Sequence, residues 1–388
     1  MQALTPPIPH FLRALACSAL FAALAPPASA AISCSSISNV INLGSNINVL
    51  LGAPAAITGT INISCTRTFP VAGPKVRVCL HFGRGTASAI FYPSNAAAYN
   101  PRLLINGGSS ASPAAGFVLN HNGAATNITG IAFGTATGSS GYWGSSLDAQ
   151  SPPAPFESTT ATDYSATSFT INLPYSVQLT DIAGLGVNGT TTVSTITPGT
   201  YSTSLSSPTH AALSIAQAPD GTIINSDCSV TGINYGNSNI PMTFTVSATV
   251  SPQCIITNDG SIAALDFGSA STHAAPSVPN PSTTLSVQCT RTTPYAIGLL
   301  PSNGNANGAG IMSAGGSPDT VPYQLRKGPG ASAAVWGNTT APAPGLAGNG
   351  VQGTGTGVAV NHIVYGTVAG TNYRGGNYTD TVTVTVNY

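Results

Sequence analysis

The chain has 388 residues, and its ten Lys and Arg residues balance its ten Asp and Glu residues, so the formal net charge is zero. Charged residues make up 5% of the sequence, against roughly 25% in an average soluble domain. This composition excludes a basic patch for nucleic acid. It leaves solvation of the surface to Ser, Thr, Asn and Gly.

The N-terminal segment has the pattern of a secretion signal. Arg13 precedes an apolar run at residues 14–24, and Ala28, Ser29 and Ala30 supply the small side chains typical of a signal-peptidase site. The run is too short to span a bilayer. We therefore expect residues 1–30 to be removed during export, leaving a mature chain that begins at Ala31.

The cysteine content is typical of an exported, oxidised protein. Of the seven cysteines, Cys17 leaves with the leader, and the others are Cys34, Cys65, Cys79, Cys228, Cys254 and Cys289. A zinc site is disfavoured because no CxxC or CxxH spacing occurs. We expect no metal and no cofactor.

An internal repeat relates four of these cysteines. The string CTRTFP begins at Cys65 and the string CTRTTP begins at Cys289, and the next cysteine before each string is Cys34 and Cys254, respectively. We therefore expect two copies of one module, with bonds Cys34–Cys65 and Cys254–Cys289. Elimination then pairs Cys79 with Cys228.

Alternating apolar and polar residues predict strands throughout, and no stretch keeps a helical period. Gly and Pro punctuate the segments between them. The expected strands of the first half are Ile57–Cys65, Val76–Phe82, Gly116–Asn120, Phe169–Leu179 and Gly199–Ala216; those of the second are Thr283–Cys289, Tyr295–Leu300, Val321–Lys327, Ala359–Val368 and Tyr378–Tyr388. The Gly-rich run at residues 353–357 is interpreted as turn spacers. Two β-sandwich domains are the expected fold.

The terminal segment YTDTVTVTVNY is the clearest strand. Val382, Val384 and Val386 fall on one face, and Thr residues fall on the other. No later segment follows this strand in the sequence, and we therefore expect one of its edges to lack a neighbour from this chain. An unpaired strand edge invites pairing with another chain.

The domain boundary is expected between residues 220 and 251, and we divide the mature chain into residues 31–240 and 241–388. The alternating segment Met242–Val250 (MTFTVSATV) crosses this region. It can complete the first sandwich or open the second, and the sequence leaves both possibilities open.

Several strings together resemble the spore coat protein U domain, the pilin module of archaic chaperone-usher pili. They are LSVQCTRTTPY, VPYQLRK followed by Trp336 and Gly337, and the terminal YTDTVTVTVNY. The resemblance is close from about Thr243 to Tyr388, and the first half is more divergent. It implies two immunoglobulin-like sandwiches, the C-terminal one lacking its last strand.

The resemblance also implies partners and a location. A periplasmic chaperone, and then an adjacent pilin subunit at the outer-membrane usher, would add the missing strand by β-augmentation. The acceptor residues would be Val382, Val384, Val386 and Tyr388. The chain would pass through the periplasm to the cell surface as part of a pilus, or fimbrium.

The expected mature N-terminus offers little to donate in turn. Ala31, Ile32 and Ser33 alone precede Cys34, too few for a donor strand of about five residues. A subunit that accepts a strand without donating one belongs at the fibre tip, and the two-domain build is similar to that of tip adhesins. Alternatives are a structural shaft or spore-coat-like subunit and a carbohydrate-binding surface protein.

No GxSxG or HExxH motif occurs, and we expect no enzymatic activity. Loop aromatic and aliphatic residues in the first half are instead candidates for contact with an abiotic or host surface during attachment and biofilm formation. The alternative is that each loop side chain packs into its own sandwich, which we favour for Trp143 because Trp336 repeats it. The candidates are Phe91, Tyr92, Tyr99, Tyr142, Phe156, Ile182, Leu185 and Val187.

Overall fold

The computed structural model describes residues 32–35, 37–67, 75–82, 85–87, 102–107, 114–121, 127–128, 131–132, 156–157, 162–163, 168–181, 192–206, 211–218, 238–270, 280–339, 348–370 and 372–388. Strands dominate these ranges, so the prediction of an all-β protein is confirmed. In the same ranges, no helix has the length and apolar character needed to cross a membrane.

Within the described ranges, fourteen strands precede residue 251. They are β1 (Ile32–Cys34), β2 (Ile37–Asn42), β3 (Ile57–Arg67), β4 (Lys75–Phe82), β5 (Arg102–Ile105), β6 (Ala114–His121), β7 (Asn127–Ile128), β8 (Ile131–Ala132), β9 (Phe156–Glu157), β10 (Thr162–Asp163), β11 (Ser168–Thr180), β12 (Gly199–Ser206), β13 (Ala211–Ala218) and β14 (Ser238–Val250).

These strands form the first sandwich. Neighbouring strands follow the order β1-β3-β11-β6-β5-β12-β14-β13-β4-β10, and β2 runs parallel beside β14. Strands β1 and β2 are consecutive in the chain but lie apart, because β1 is at one end of this order and β2 branches from β14 in its interior. The buried apolar side chains of these strands form one core. That core includes Ile61, Phe117, Tyr201 and Leu205, all fully buried.

Strand β14 belongs entirely to the first sandwich. It pairs antiparallel with β13 at its start and with β12 along Thr243–Val250, and β2 covers its other edge. Its apolar side chains alternate into the core at Met242, Phe244, Val246, Ala248 and Val250. The boundary expected at residues 240 and 241 therefore moves to the end of β14, because its main-chain pairing lies wholly with the preceding strands.

The connection between the two sandwiches is two residues long. Ser251 and Pro252 separate the buried Val250 from Gln253. The Gln253 backbone N–H donates to Thr290 Oγ1 at 3.1 Å, and the Thr290 N–H donates to the Gln253 carbonyl at 2.9 Å. The chain is thus fixed on both sides of a short, proline-containing linker.

The described part of the second sandwich has eight strands: β15 (Cys254–Ile256), β16 (Ser282–Cys289), β17 (Pro294–Pro301), β18 (Ala309–Ser313), β19 (Thr320–Arg326), β20 (Val351–Thr354), β21 (Ala359–Val368) and β22 (Val382–Asn387). One sheet has the order β15-β16-β21-β19-β18 and the other has the order β20-β17-β22. Trp336 lies in the core between them, where its indole N–H donates to the Ile297 carbonyl at 3.0 Å.

In each sandwich a disulfide joins two residues that lie directly opposite each other on paired antiparallel strands. Cys34 pairs opposite Cys65 on β1 and β3 and is bonded to it, and Cys254 pairs opposite Cys289 on β15 and β16 and is bonded to it. These are the pairings expected from the repeat. The bond between Cys79 and Cys228 stays a prediction, because only the backbone of Cys79 is described and Cys228 lies outside the described residues.

Two segments differ from the sequence-based expectation. The stretch from Gly199 to Ala216 is two strands, because its first half pairs with β14 and its second half turns to pair with β4 as well. Within the run interpreted as turn spacers, Gly353 lies in β20 opposite Tyr295. A Cβ at residue 353 would lie 2.4 Å from the Tyr295 ring, so glycine is required here by packing.

We expect β14 to determine the stability of the first sandwich. In a fragment spanning residues 31–251, Phe244→Ala should lower the free energy of unfolding by about 3–5 kcal/mol, because the ring is fully buried. Thr243→Ala is the matched control, since Thr243 is exposed on the same strand, and it should change stability by less than about 0.5 kcal/mol. Urea titration measures both; equal effects would show that β14 is not part of this core.

Candidate strand-acceptor site

The last strand of the second sandwich is paired along one edge. Strand β22 pairs antiparallel with β17 from Val382 opposite Pro301 to Asn387 opposite Ala296. Among the described residues, no strand pairs with its other edge. Val382, Val384 and Val386 are half-buried and pack against the core that contains Trp336.

A cavity of about 550 Å³ lies beside this free edge. One wall is β22 and the preceding residues 378–381, and the opposite wall is the extended segment 262–267. Apolar side chains of the core line the floor, including Leu285, Leu299 and Leu325. The cavity is therefore mostly apolar, and within the described residues it borders the unpaired edge of β22.

The first sandwich provides an internal reference for this cavity. Tyr201 donates its hydroxyl to the Thr197 carbonyl at 2.8 Å, and Tyr378 donates to the Arg374 carbonyl at 2.8 Å, four residues upstream in both cases. This contact resembles the tyrosine corner near the start of strand F in immunoglobulin-like sandwiches. It aligns the start of β12 with the residues that lead into β22.

A second contact gives the same alignment. Ser202, one residue after the first tyrosine, pairs with Ile105 at the end of β5. Thr379, one residue after the second tyrosine, pairs with Ser313 at the end of β18. The two sandwiches therefore match residue by residue at this point, and β14, which lies between β12 and β2, occupies in the first sandwich the place that is a cavity in the second.

Asp380 joins several elements at one end of the cavity. Its Oδ2 accepts from the Tyr323 hydroxyl at 2.7 Å, and its Oδ1 accepts from the Thr381 N–H at 2.8 Å and from the Ser302 hydroxyl. Partial burial raises the pKa of Asp380, but these hydrogen bonds and one from the Ile311 N–H outweigh burial and hold it below the ordinary value. Asp380 thus lines the cavity as a charged carboxylate.

Tyr323 shows the reciprocal effect. Burial raises the pKa of its hydroxyl well above the ordinary value, and both the hydrogen bond to Asp380 and the negative charge of Asp380 raise it further. Tyr323 therefore stays protonated and keeps donating to the carboxylate. The position that matches Asp380 in the first sandwich is Thr203, which is buried and accepts from the Ala87 N–H at 3.0 Å.

The predicted site residues are distributed unevenly. The three valines of β22 lie together at the cavity edge, with Val382 and Val384 lining it, whereas Tyr388 follows the strand and is 50% exposed. Phe156 is described only as backbone in β9, and the remaining loop candidates lie outside the described residues: Phe91, Tyr92, Tyr99, Tyr142, Ile182, Leu185 and Val187.

Sequence reasoning missed Asp380, Tyr323 and the wall at residues 262–267. The strings GTYST and GNYTD, at residues 199–203 and 376–380, carried the signal that would have aligned Asp380 with a buried position. No group of three His, Cys, Asp or Glu side chains among the described residues could hold a metal ion. His362 instead has its Nε2 atom 3.0 Å from the Tyr295 hydroxyl.

We expect protonation of Asp380 to destabilise the second sandwich. Because its pKa lies below the unfolded value of about 3.9, its contribution is present above that pH and is lost as the pH falls through the folded pKa. Between about pH 6 and about pH 3, wild type should therefore lose more free energy of unfolding than Asp380→Asn. Urea titrations followed by tryptophan fluorescence measure the difference.

The control is Asp259→Asn, which removes an exposed carboxylate in the turn after β15. It should keep the wild-type loss on acidification. Equal pH dependence in wild type and Asp380→Asn would show that the hydrogen bonds to Asp380 do not stabilise the charged form.

Comparison with known proteins gives one family match. Residues 240–385 match the model of the Spore Coat Protein U domain. No curated protein sequence matches the chain at a significant level.

Three solved structures show weak similarity. They are the CsuC–CsuE chaperone–tip adhesion subunit complex from archaic chaperone-usher Csu pili of Acinetobacter baumannii (15% identity, 92% of this chain and 100% of that chain, TM-score 0.43), the CupB6 tip adhesin of Pseudomonas aeruginosa (10%, 92% and 94%, 0.33) and a mutant of the enterotoxigenic E. coli CFA/I adhesin CfaE (10%, 90% and 91%, 0.31). At these scores, none of them defines the function of this chain.

The family match covers the same region as the cavity, and it confirms the resemblance drawn from the sequence. The matched residues 240–385 contain β15–β21 and the first part of β22, and this region is similar to the Spore Coat Protein U domain.

Proposed function

We propose that this chain is a subunit of a chaperone-usher pilus and that a strand from another protein completes its second sandwich beside β22. One observation carries the proposal. At matching positions, the first sandwich holds β14 between β12 and β2, and the second has an apolar cavity between β22 and the segment 262–267. The second sandwich is incomplete by the standard of the first.

The chemistry of the cavity suits an extended segment with alternating apolar residues. The free edge of β22 offers main-chain N–H and C=O groups for a ladder, and the floor accepts every second side chain. Strand β14 shows what such a segment looks like, since five alternating apolar side chains enter the first core. A periplasmic chaperone would supply this strand first, and an adjacent pilin subunit would replace it at the outer-membrane usher.

A position at the fibre tip is part of the same proposal. A shaft subunit needs an extended segment that is free to enter the next subunit. In the described part of the chain, β1 is paired with β3 and held by the Cys34–Cys65 bond, and β14 is buried in the first sandwich. Because β1 and β14 are already paired within this chain, neither is free to enter another subunit. This supports a subunit that accepts a strand without donating either segment.

The first sandwich would then be the outermost part of the fibre, and its loops would contact a surface. The proposed contact residues are those named from the sequence. Leu185 and Val187 are the first pair to test, because glycines flank both of them in the sequence. Export to the cell surface, adhesion and biofilm formation complete this proposal.

A strand that fills the cavity beside β22 should stabilise the second sandwich. Two peptides are added to the full mature chain: one has the sequence of Met242–Val250, and the other has Lys in place of Val246. Each should raise the unfolding temperature of the chain. Val384→Asp combined with Val386→Asp should abolish the rise, because the charges would be buried without partners. Thr383→Asp is the control, since Thr383 is exposed on the opposite face, and it should keep the response. A chain that melts cooperatively and ignores every such peptide would contradict the proposal.

The surface role has its own test. We expect the fragment of residues 31–251 to be retained on a hydrophobic surface and Leu185→Ser with Val187→Ser to reduce that retention severalfold, because exposed apolar area drives such contacts. Ser194→Ala, in the described turn that follows this loop, is the matched control. The carbohydrate-binding alternative would be favoured by a different result. In that case the unsubstituted fragment and the Leu185→Ser with Val187→Ser fragment would both bind a glycan array, and the hydrophobic surface would retain them equally.

A further inference from the structure

The cavity beside β22 has one charged group among its lining side chains that no apolar strand would satisfy. Asp380 and Asp266 are the carboxylates of the lining, and Asp266 accepts from the Gly268 N–H in an exposed turn. Asp380 lies two residues before β22, the strand with which the incoming segment would pair. Its counterpart Thr203 shows how deeply this position is covered once a strand is in place, because Thr203 is 3% exposed.

The register of the first sandwich identifies the residue that meets this position. Thr203 on β12 is directly opposite Val246 on β14, and both side chains are buried on the inner face. Directly opposed residues in an antiparallel pair have Cβ atoms about 4.5–5.5 Å apart. The tyrosine corners and the paired ends of β5 and β18 align Asp380 with Thr203, so a strand seated like β14 places the equivalent of Val246 against Asp380.

A valine at this position would cover a charge without compensating it. In the described residues Asp380 forms no ion pair, and the ion pair found there joins Arg374 to Asp319. The hydrogen bonds from Ser302, Tyr323 and Thr381 come from neutral groups. Removing water from an ionised carboxylate is costly unless an opposite charge accompanies it.

We propose that Asp380 selects the donor strand of this subunit by its charge: the partner is an extended segment with alternating apolar residues and a Lys or Arg at the position facing Asp380. This inference rests on the proposed function and names the chemistry of the partner. A basic side chain at this point can bury its methylene stem and direct its charged end to the carboxylate at the rim of the cavity.

The same rule separates the two sandwiches of this chain. The first has a neutral Thr203 and takes the wholly apolar β14, whereas the second has Asp380 and disfavours an apolar strand of that kind. Charge at this position thereby opposes insertion of the β14 sequence of one copy into the cavity of another.

Peptide binding to the full mature chain tests this selection. The probes are labelled peptides with the sequence of Met242–Val250, either unchanged or with Val246→Lys, measured by fluorescence anisotropy. We expect the lysine peptide to bind wild type at least about tenfold more tightly, with a preference that decreases as salt increases. A peptide with Val246→Glu should bind more weakly than either.

Two controls assign the preference to Asp380. A peptide with Ala248→Lys carries the same charge at a position that faces Tyr378 by the same register, and it should gain no affinity. Asp380→Thr, which installs the residue of the first sandwich, should remove the preference for lysine and favour the valine peptide; Asp380→Asn, which keeps the shape of the side chain, should remove the preference as well.

The possible outcomes are distinct. Equal affinity of wild type for the valine and lysine peptides overturns the selection by charge and leaves the proposed function standing. A lysine preference that survives both substitutions of Asp380 also overturns it. Failure of every peptide to bind wild type, at any salt concentration, contradicts the proposed function itself.

Discussion

The main-chain ladder along β12 and β14 is the interaction on which the first sandwich depends. Eight residue pairs, from Gly199 opposite Val250 to Ser206 opposite Thr243, hold β14 in register, and that register places its five alternating apolar side chains in the core. A shift of one residue would turn all of them toward solvent. In the second sandwich, β22 corresponds to β12. One edge of β22 pairs with β17, and the other edge, where a strand like β14 would pair, has no partner strand among the described residues.

The pairing of β14 with the first sandwich explains why the residues of the family match and the residues of the second sandwich do not coincide. The Spore Coat Protein U match begins at residue 240, whereas the strands of the second sandwich begin with Cys254. The segment between them belongs to the family domain by sequence and to the first sandwich by pairing. A strand that completes one sandwich can thus be encoded at the beginning of the next, because main-chain pairing depends on proximity and register rather than on position in the sequence.

Much of the fold could be predicted from local patterns. Alternation identified β3, β11, β14, β21 and β22, and the repeated CTRT string identified two of the disulfides. Short or glycine-containing strands were missed, such as β18 (AGIMS) and β20 (VQGT), because their pairing is stabilised by neighbours such as the Tyr295 ring rather than by propensity. The assignment of Met242–Val250 needed the structure, since either sandwich suits its alternation.

The site was predictable in part for a related reason. The valines of β22 follow from the period of the strand, but the opposite wall at residues 262–267 has no regular pattern, and its position depends on packing over β16 and β21. Asp380 sits in an alternating Thr and Val context that does not distinguish an exposed carboxylate from one that joins three elements. The similar strings GTYST and GNYTD align it with Thr203, and the two tyrosine contacts of the structure show that this threonine position is buried.

The linker of Ser251 and Pro252 has a mechanical consequence. In the proposed fibre, tension between a surface bound by the first sandwich and the pilus joined to the second would be carried covalently through these two residues. On one side the load reaches β14, which is held by ladders to both β12 and β2. On the other side it reaches Cys254 immediately after Gln253, where the bond to Cys289 prevents β15 from peeling away from β16. Force therefore enters the second sandwich at a covalent cross-link.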